Sequence, residues 1–300
     1  MLPKLRNSEW VLLAYFAWVA AIAPFFRDRP RLHSQPALVL IIVFGILLAL
    51  AWAETKRYRR VINMVRDWVP LPLTLFAFRE MEWFVPLSYN SAYEHAWIKL
   101  DNLVLNQYGL KAAIESLGPL LPTYLELCYL LIYGVGTYCV VVLWLKNRRA
   151  LIDRFYVVLL TGTLISYALF PFFPSRPPRI AFPEVAPPLA GYLFRHINLF
   201  LLRNATIHTG VFPSAHVSSA FAASWAMFLV LPDRKGYGWG LLAYAVSVSI
   251  ATIYGRYHYV ADALAGFSVS LIAAAVALWL FRTQSARDGQ LSRSDPHLVA

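Results

Sequence analysis

A histidine and an aspartate four residues apart, His258 and Asp262, lie at the start of a long apolar segment. On a helix, residues four apart share a face, so the carboxylate can hydrogen-bond one imidazole nitrogen. That bond fixes the tautomer and leaves the other nitrogen with a lone pair for nucleophilic attack. A carboxylate at the end of an uncharged apolar segment is costly unless paired, which makes the pair a candidate functional site. The alternative is a structural pair that holds the top of the helix.

A second apolar segment begins with Phe-Pro-Ser-Ala-His at 212–216. A helix that starts there presents backbone N–H groups to an anion, and the hydroxyl of Ser214 adds a donor. His216 can donate or accept a proton near neutral pH. Taken alone, this motif is equally consistent with an ordinary helix cap followed by a surface histidine.

Two arginines follow the end of another apolar segment, in Pro-Ser-Arg-Pro-Pro-Arg at 174–179. The planar guanidinium groups of Arg176 and Arg179 match phosphate oxygens, and the diproline between them is stiff. The alternative is a pair of interfacial anchors. The three motifs together indicate a site for a phosphate group with histidine chemistry.

The composition indicates an integral membrane protein. Hydrophobic residues make up 59% of the 300-residue chain and charged residues only 14%, well below the roughly 25% typical of soluble domains. The net charge of +11 then indicates basic cytoplasmic loops and anionic lipid headgroups, and no nucleic acid partner is expected. The two cysteines, Cys128 and Cys139, lie in one apolar segment without metal-ligand spacing.

Eight apolar segments predict transmembrane helices, since about 20 apolar residues cross the hydrocarbon layer. They are Trp10–Phe26, Pro36–Trp52, Trp68–Val85, Leu121–Leu145, Phe155–Phe173, Ser214–Leu231, Tyr237–Tyr254 and Val260–Phe281. In the third segment, two prolines near the start and charged residues near the end leave open a short, tilted or re-entrant course.

The basic residues orient these spans. The basic clusters lie at 56–66, at 146–154, at 233–235 and in the tail after Phe281. If all eight segments cross, these clusters share one side with both termini, and basic loops stay in the cytoplasm. The three motifs then face the periplasm or the extracellular space, as in a bacterial inner membrane. Outside the spans, we expect one or two interfacial helices in 93–115, a proline-rich loop in 174–212 and a disordered polar tail in 283–300.

The order of arginines, Pro-Ser-x-His and His-x-x-x-Asp, each at the outer end of a different span, is far more specific than any one motif. It resembles the superfamily of type-2 phosphatidic acid phosphatases and vanadium haloperoxidases, over about residues 120–282. The forms Arg-Pro-Pro-Arg, Phe-Pro-Ser-Ala-His and His-Tyr-Val-Ala-Asp followed by Ala-Leu-Ala-Gly look most like its inositolphosphorylceramide-synthase-like branch. The resemblance implies an all-α membrane core over 67–282 with six helices, preceded by two extra spans and a basic loop in 1–66.

The resemblance also implies roles for the motif residues. His258, oriented by Asp262, would attack phosphorus and form a phosphohistidine, and His216 would protonate the leaving oxygen. Ser214 would hold phosphoryl oxygens, and Arg176 or Arg179 would neutralise the phosphate. Because arginines and helix-end donors stabilise the charge, the resemblance implies neither a metal nor a cofactor.

The chain departs from the wider family in three places. The family's lysine seven residues before the first-motif arginine is replaced by Leu169, or by Phe172 if Arg179 is the match. Its glycine between serine and histidine is Ala215, and its arginine six residues before the nucleophile is Thr252. We expect Arg256 to take over part of the missing phosphate contact.

The resulting expectation is a membrane-embedded phosphatase or phosphotransferase for a lipid phosphoester, with water or an alcohol such as inositol as acceptor. His208, close to the second motif, is a candidate for positioning that acceptor. The competing hypothesis is a non-catalytic membrane protein, either a lipid carrier or an inactive scaffold. A carrier would tend to show inverted repeats and polar groups at mid-depth, and the sequence shows neither.

Overall fold

All regular secondary structure is helical in the residues that the computed structural model describes, which are 3–26, 28–56, 59–86, 90–185, 193–207 and 209–294. In chain order the α-helices are α1 Asn7–Ile22, α2 Gln35–Glu54, α3 Arg59–Trp68, α4 Pro70–Glu80, α5 Ala92–Asn102, α6 Leu110–Glu115, α7 Leu120–Leu131, α8 Val135–Leu145, α9 Ile152–Leu169, α10 Pro178–Ala181, α11 Leu193–Ala205, α12 Ala215–Val230, α13 Gly236–Tyr254 and α14 Val260–Ser294. The predicted all-α fold is confirmed.

Within this described part of the chain, six helical segments are long and apolar enough to cross a membrane. They are Asn7–Phe25, Gln35–Glu54, Leu120–Leu145, Arg149–Phe172, Gly236–Tyr254 and Val260–Thr283. The other two predicted spans coincide with shorter helices, α4 of 11 residues and α12 of 16 residues. Helix α12 rises about 24 Å, less than the roughly 30 Å of a hydrocarbon layer. A total of eight crossings therefore stays a prediction.

Helix α12 is nevertheless at the centre of the molecule, where it packs against α9, α13 and α14. Its buried face is rich in alanine, which allows neighbouring helices to approach closely. On α9, Gly162 lies so near that an added Cβ atom would be 2.8 Å from the Cβ atom of Ala222. This close packing fixes where α12 begins relative to its neighbours.

A cluster of buried ion pairs ties the N-terminal helices to the start of α9. Arg66 contacts Glu9 at 2.5 Å, and Asp67 accepts hydrogen bonds from both Arg6 and Arg149. Part of the predicted basic loop is therefore helical, since residues from 59 onward form α3 and Arg66 is buried. Helix α1 also packs on α4 and α9, so the first N-terminal span contacts the core directly.

Of the three segments predicted to lie outside the spans, two contain more helix than the sequence indicated. The segment 93–115 forms α5, a π-helical turn and α6, in agreement with one or two helices. The segment predicted as a proline-rich loop, 174–212, contains α10 and α11. The tail prediction differs as well, because α14 continues to Ser294, and 295–300 lie outside the described residues.

Candidate active site

The three motifs meet where the end of α9, the start of α12 and the turn between α13 and α14 come together. The backbone N–H of Arg179 donates to the carbonyl of Arg256 at 3.2 Å, which joins the first motif to the third. The backbone N–H of Ser214 donates to the carbonyl of Asp262 at 3.0 Å, which joins the second motif to the third. Segments that are far apart in the sequence, 179 from 256 and 214 from 262, therefore form one site.

Two imidazole rings face each other at its centre. The Nδ1 atom of His216 lies 3.2 Å from Nε2 of His258. On its other side, His258 places Nδ1 at 3.0 Å from the carbonyl oxygen of Val211 and 3.3 Å from a carboxylate oxygen of Asp262. A carbonyl oxygen only accepts, so these partners assign the proton to Nδ1 and a lone pair to Nε2. His216 then donates from Nδ1 to that lone pair.

Asp262 holds the nucleophile candidate from the first turn of α14. Its side chain is fully buried, and the same oxygen that faces His258 accepts the backbone N–H of Tyr259 at 2.9 Å. The carboxylate therefore closes the turn and orients the imidazole at the same time. This arrangement matches the spacing argument for residues four apart.

Ser214 is the N-cap of α12. Its backbone is extended, and its hydroxyl oxygen accepts the N–H of Val217 at 3.3 Å. The helix begins here because Pro213 has no N–H to donate and Ser214 caps the first turn. The hydroxyl proton of Ser214 remains able to donate, beside the N–H groups at the positive end of the helix.

Arg179 contributes positive charge to the histidine pair. Its guanidinium carbon lies 5.6 Å from the centre of the Tyr257 ring. Burial lowers the pKa of the His258 imidazole to about 3; its hydrogen bond with the Val211 carbonyl raises the pKa, and the Arg179 charge lowers it. In the described part of the chain, no carboxylate forms an ion pair with Arg179. A partly buried cation without a protein counter-ion suits an anionic ligand.

The guanidinium of Arg256 binds backbone carbonyl oxygens, whereas the sequence predicted a contact with the phosphate. Its guanidinium donates to the carbonyl oxygens of Pro178 at 3.0 Å and Phe182 at 2.8 Å, and also to that of Val185. The phosphate contact expected of Arg256 stays a prediction; in this structure these donors are directed at the backbone of residues 178–185. The residue shapes the segment that contains Arg179.

Arg176 is bound through its backbone at the edge of the site. Its N–H donates to a carboxylate oxygen of Glu94 at 2.9 Å, and its carbonyl accepts the hydroxyl of Tyr259 at 3.1 Å. These bonds fix the first motif against the third and against α5. They place the start of the Arg-Pro-Pro-Arg segment independently of any side-chain role.

A buried network that the sequence did not reveal lies beside His216. The carboxylate of Glu126 accepts from Arg195 at 2.9 Å, from the Tyr257 hydroxyl at 2.6 Å and from Asn198 at 2.8 Å. The ring of Tyr257 stacks on that of Tyr129 with centroids 3.8 Å apart. This network supports the turn that contains His258.

The aromatic stack continues onto the second histidine. The Tyr129 ring lies 5.1 Å from the His216 ring at an interplanar angle of 28°. Sequence reasoning missed the network because Arg195 and Asn198 lie on α11, in a segment predicted as a loop. The available signal was spacing: residues 195, 198 and 202 share one face of a helix, and in α11 all three are buried.

Two other expectations concern ligands. In the described ranges, no three His, Cys, Asp or Glu side chains gather in a way that could hold a metal ion. His208, the candidate for positioning an acceptor, lies outside the described residues.

Comparison with known proteins identifies the family. A family model described as the PAP2 superfamily matches residues 107–276, which is more than half of the chain and includes all three motifs. A PA-phosphatase related-family protein of Dictyostelium discoideum is 39% identical over 62 residues, 21% of this chain and 11% of that protein. The match thus spans about a tenth of the relative's length. No solved structure matches at a significant level. The chain belongs to the PAP2 superfamily.

Proposed function

We propose that this protein is an integral-membrane phosphatase or phosphotransferase that acts on a lipid phosphoester through a phosphohistidine on His258. The observation that carries the proposal is the imidazole pair, with Nδ1 of His216 and Nε2 of His258 3.2 Å apart. Membership of the PAP2 superfamily supports the same class of substrate. The neighbouring apolar helices suit a substrate whose tails stay in the bilayer.

In the first step, the Nε2 lone pair of His258 attacks phosphorus while the bond from phosphorus to the leaving oxygen breaks. A proton from His216 goes to that oxygen, which leaves as an alcohol. In the second step, water or an alcohol attacks phosphorus, His216 removes its proton, and the phosphorus–nitrogen bond breaks. His258 regains its lone pair and His216 its proton, so the enzyme returns to its starting state.

The ligand-free hydrogen bond between the rings must break in this scheme. Phosphorus cannot bond Nε2 while the N–H of His216 occupies the same lone pair at 3.2 Å. The phosphoryl group therefore enters between the rings and replaces that hydrogen bond. The Tyr129 ring packed on His216 limits how far this imidazole moves.

Arg179 is the better phosphate ligand of the two arginines left open by the sequence. Its charge acts on His258, and it has no ion-pair partner among the described residues. The N–H groups at the start of α12 and the hydroxyl of Ser214 supply further donors for the phosphoryl oxygens. Arg176 contributes through its backbone position at the rim.

The finer assignments are parts of the same proposal. The motif forms favour the inositolphosphorylceramide-synthase-like branch, and therefore transfer of a phospho-headgroup to an alcohol such as inositol. The basic clusters favour a site on the periplasmic or extracellular face of a bacterial inner membrane, with both termini in the cytoplasm.

The test uses the full chain purified in detergent with a labelled lipid phosphate, with and without myo-inositol. We expect release of phosphate or transfer of the headgroup, inhibition by orthovanadate, and no inhibition by a chelator. His258→Ala and His216→Ala should each abolish turnover, while His33→Ala, at an exposed histidine, should retain it. Equal activity in His258→Ala and wild type would refute the mechanism. A protein inactive on every lipid phosphate would favour the scaffold alternative.

A further inference from the structure

Helix α5 presents its acidic residues to the interior. Glu94 is 0% exposed and Asp101 is 4% exposed, whereas Tyr93 is 42% exposed. Buried carboxylates are costly unless they accept hydrogen bonds. Glu94, Trp97 and Asp101 occupy positions i, i+3 and i+7, which form one stripe on a helix. Each of the three contacts a different motif of the candidate site.

Glu94 contacts the first motif. One of its carboxylate oxygens accepts the backbone N–H of Arg176 at 2.9 Å. Because Pro177 follows and has no N–H, the Arg176 amide is the last donor before the diproline. The bond fixes where the rigid segment that contains Arg179 begins.

Trp97 contacts the second motif. Its ring stacks on Phe212 with centroids 4.8 Å apart and an interplanar angle of 16°. Phe212 is two residues before the N-cap of α12 and four before His216. Trp97 also lies 5.6 Å from the ring of Tyr259 in the third motif.

Asp101 contacts the third motif. Its carboxylate oxygen accepts the backbone N–H of Val260, the first residue of α14, at 2.8 Å. An acidic side chain at a helix start satisfies an N–H that has no partner within the helix. This cap comes from another helix and lies two residues from His258.

We propose that α5 is a positioning helix, in which Glu94, Trp97 and Asp101 set the mutual register of the three motifs. This inference rests on the proposed function for its catalytic consequence. The family match begins at residue 107, so α5 precedes the matched region. The three residues act through the motif backbone and through Phe212.

The kinetic test separates positioning from simple stability. In the double variant Glu94→Ala/Asp101→Ala, we expect kcat to fall about 10- to 100-fold with KM changed less than about threefold, because small misplacements act mainly on the reacting geometry. Glu94→Gln/Asp101→Asn keeps an acceptor oxygen at each site and should recover most of the lost kcat. Lys99→Ala, an exposed change on the same helix, should be neutral. If the amide variants lose as much as the alanine variants, the proposal is wrong.

A second measurement does not depend on activity. Hydrogen–deuterium exchange should show faster exchange of peptides containing the Arg176 and Val260 amides in the alanine double variant, with the interior of α9 unchanged. Unchanged exchange in both peptides overturns the positioning role, whatever the kinetics. If the wild type has no phosphatase or transferase activity but exchange responds as expected, only the proposed function fails.

Discussion

Gly266 lies one turn after Asp262 on α14, against the backbone at the start of α12. A Cβ atom added there would be 2.4 Å from the carbonyl oxygen of Ser214 and 3.3 Å from the nitrogen of Ser218. Ordinary contact begins at 3.4 Å, so the first distance is about 1 Å too short. Both neighbours are backbone atoms, and no rotation of a side chain relieves the contact. In Gly266→Ala the two helices must therefore separate.

This separation acts directly on the histidine pair. His216 is on the first turn of α12, and His258 is held by Asp262 on the first turn of α14. A displacement of about 1 Å at reacting groups lowers turnover by about 100-fold, while overpacking costs about 1–3 kcal/mol of stability. We expect a much larger loss of kcat than of folded protein.

The assay compares Gly266→Ala with Gly240→Ala, where an added Cβ atom meets nothing within 4 Å. Both proteins are purified in detergent, and kcat for a lipid phosphate and the melting temperature are measured on each. The control should match the wild type in both. If Gly266→Ala kept wild-type kcat while folded, the register between α12 and α14 would not matter for catalysis, and the reasoning would be refuted.

Three further predictions concern charge. Arg179→Ala should lower kcat about 100- to 1,000-fold, as loss of a transition-state charge contact does, while Arg203→Ala at an exposed arginine should be neutral. Burial lowers the pKa of His258 to about 3, so with a phosphodiester substrate the acid limb of kcat/KM should lie below pH 5; an apparent pKa of 6–7 would contradict this. Burial raises the pKa of Asp101 to about 7. The native state then binds a proton that the unfolded chain releases near pH 4, so stability falls as pH rises towards 7. Asp101→Asn should therefore be more stable than the wild type between pH 5 and 8, by at most roughly 4 kcal/mol. Equal melting temperatures of the two proteins at pH 5 and at pH 8 would refute this prediction.

The sequence allowed the three motifs to be predicted because their chemistry is local. The residue types, the spacing of His258 and Asp262, and the position of each motif at the end of an apolar segment can all be found without a fold. Pro213 and Ser214 likewise predict the start of a helix from local rules. The roles implied by the resemblance require the two imidazoles to meet, and the structure places Nδ1 of His216 3.2 Å from Nε2 of His258.

The remaining features depend on contacts between distant segments. The backbone contacts of Arg256 could not be predicted, because they depend on the path of residues 178–185, which no spacing rule predicts. The Glu126 network was missed because its members come from α7, α11 and the turn after α13.

The surroundings of Arg179 favour an anionic ligand over a purely structural site. Arg195 is neutralised by Glu126, and Arg256 is directed at three carbonyl oxygens. The carboxylate of Asp262 is used by His258 and by the backbone of Tyr259. Among the described residues this leaves Arg179 without a carboxylate partner, near an imidazole whose Nε2 lone pair accepts only from His216. A structural site would gain from a carboxylate at that position, whereas a phosphoester supplies the missing negative charge only when substrate is bound.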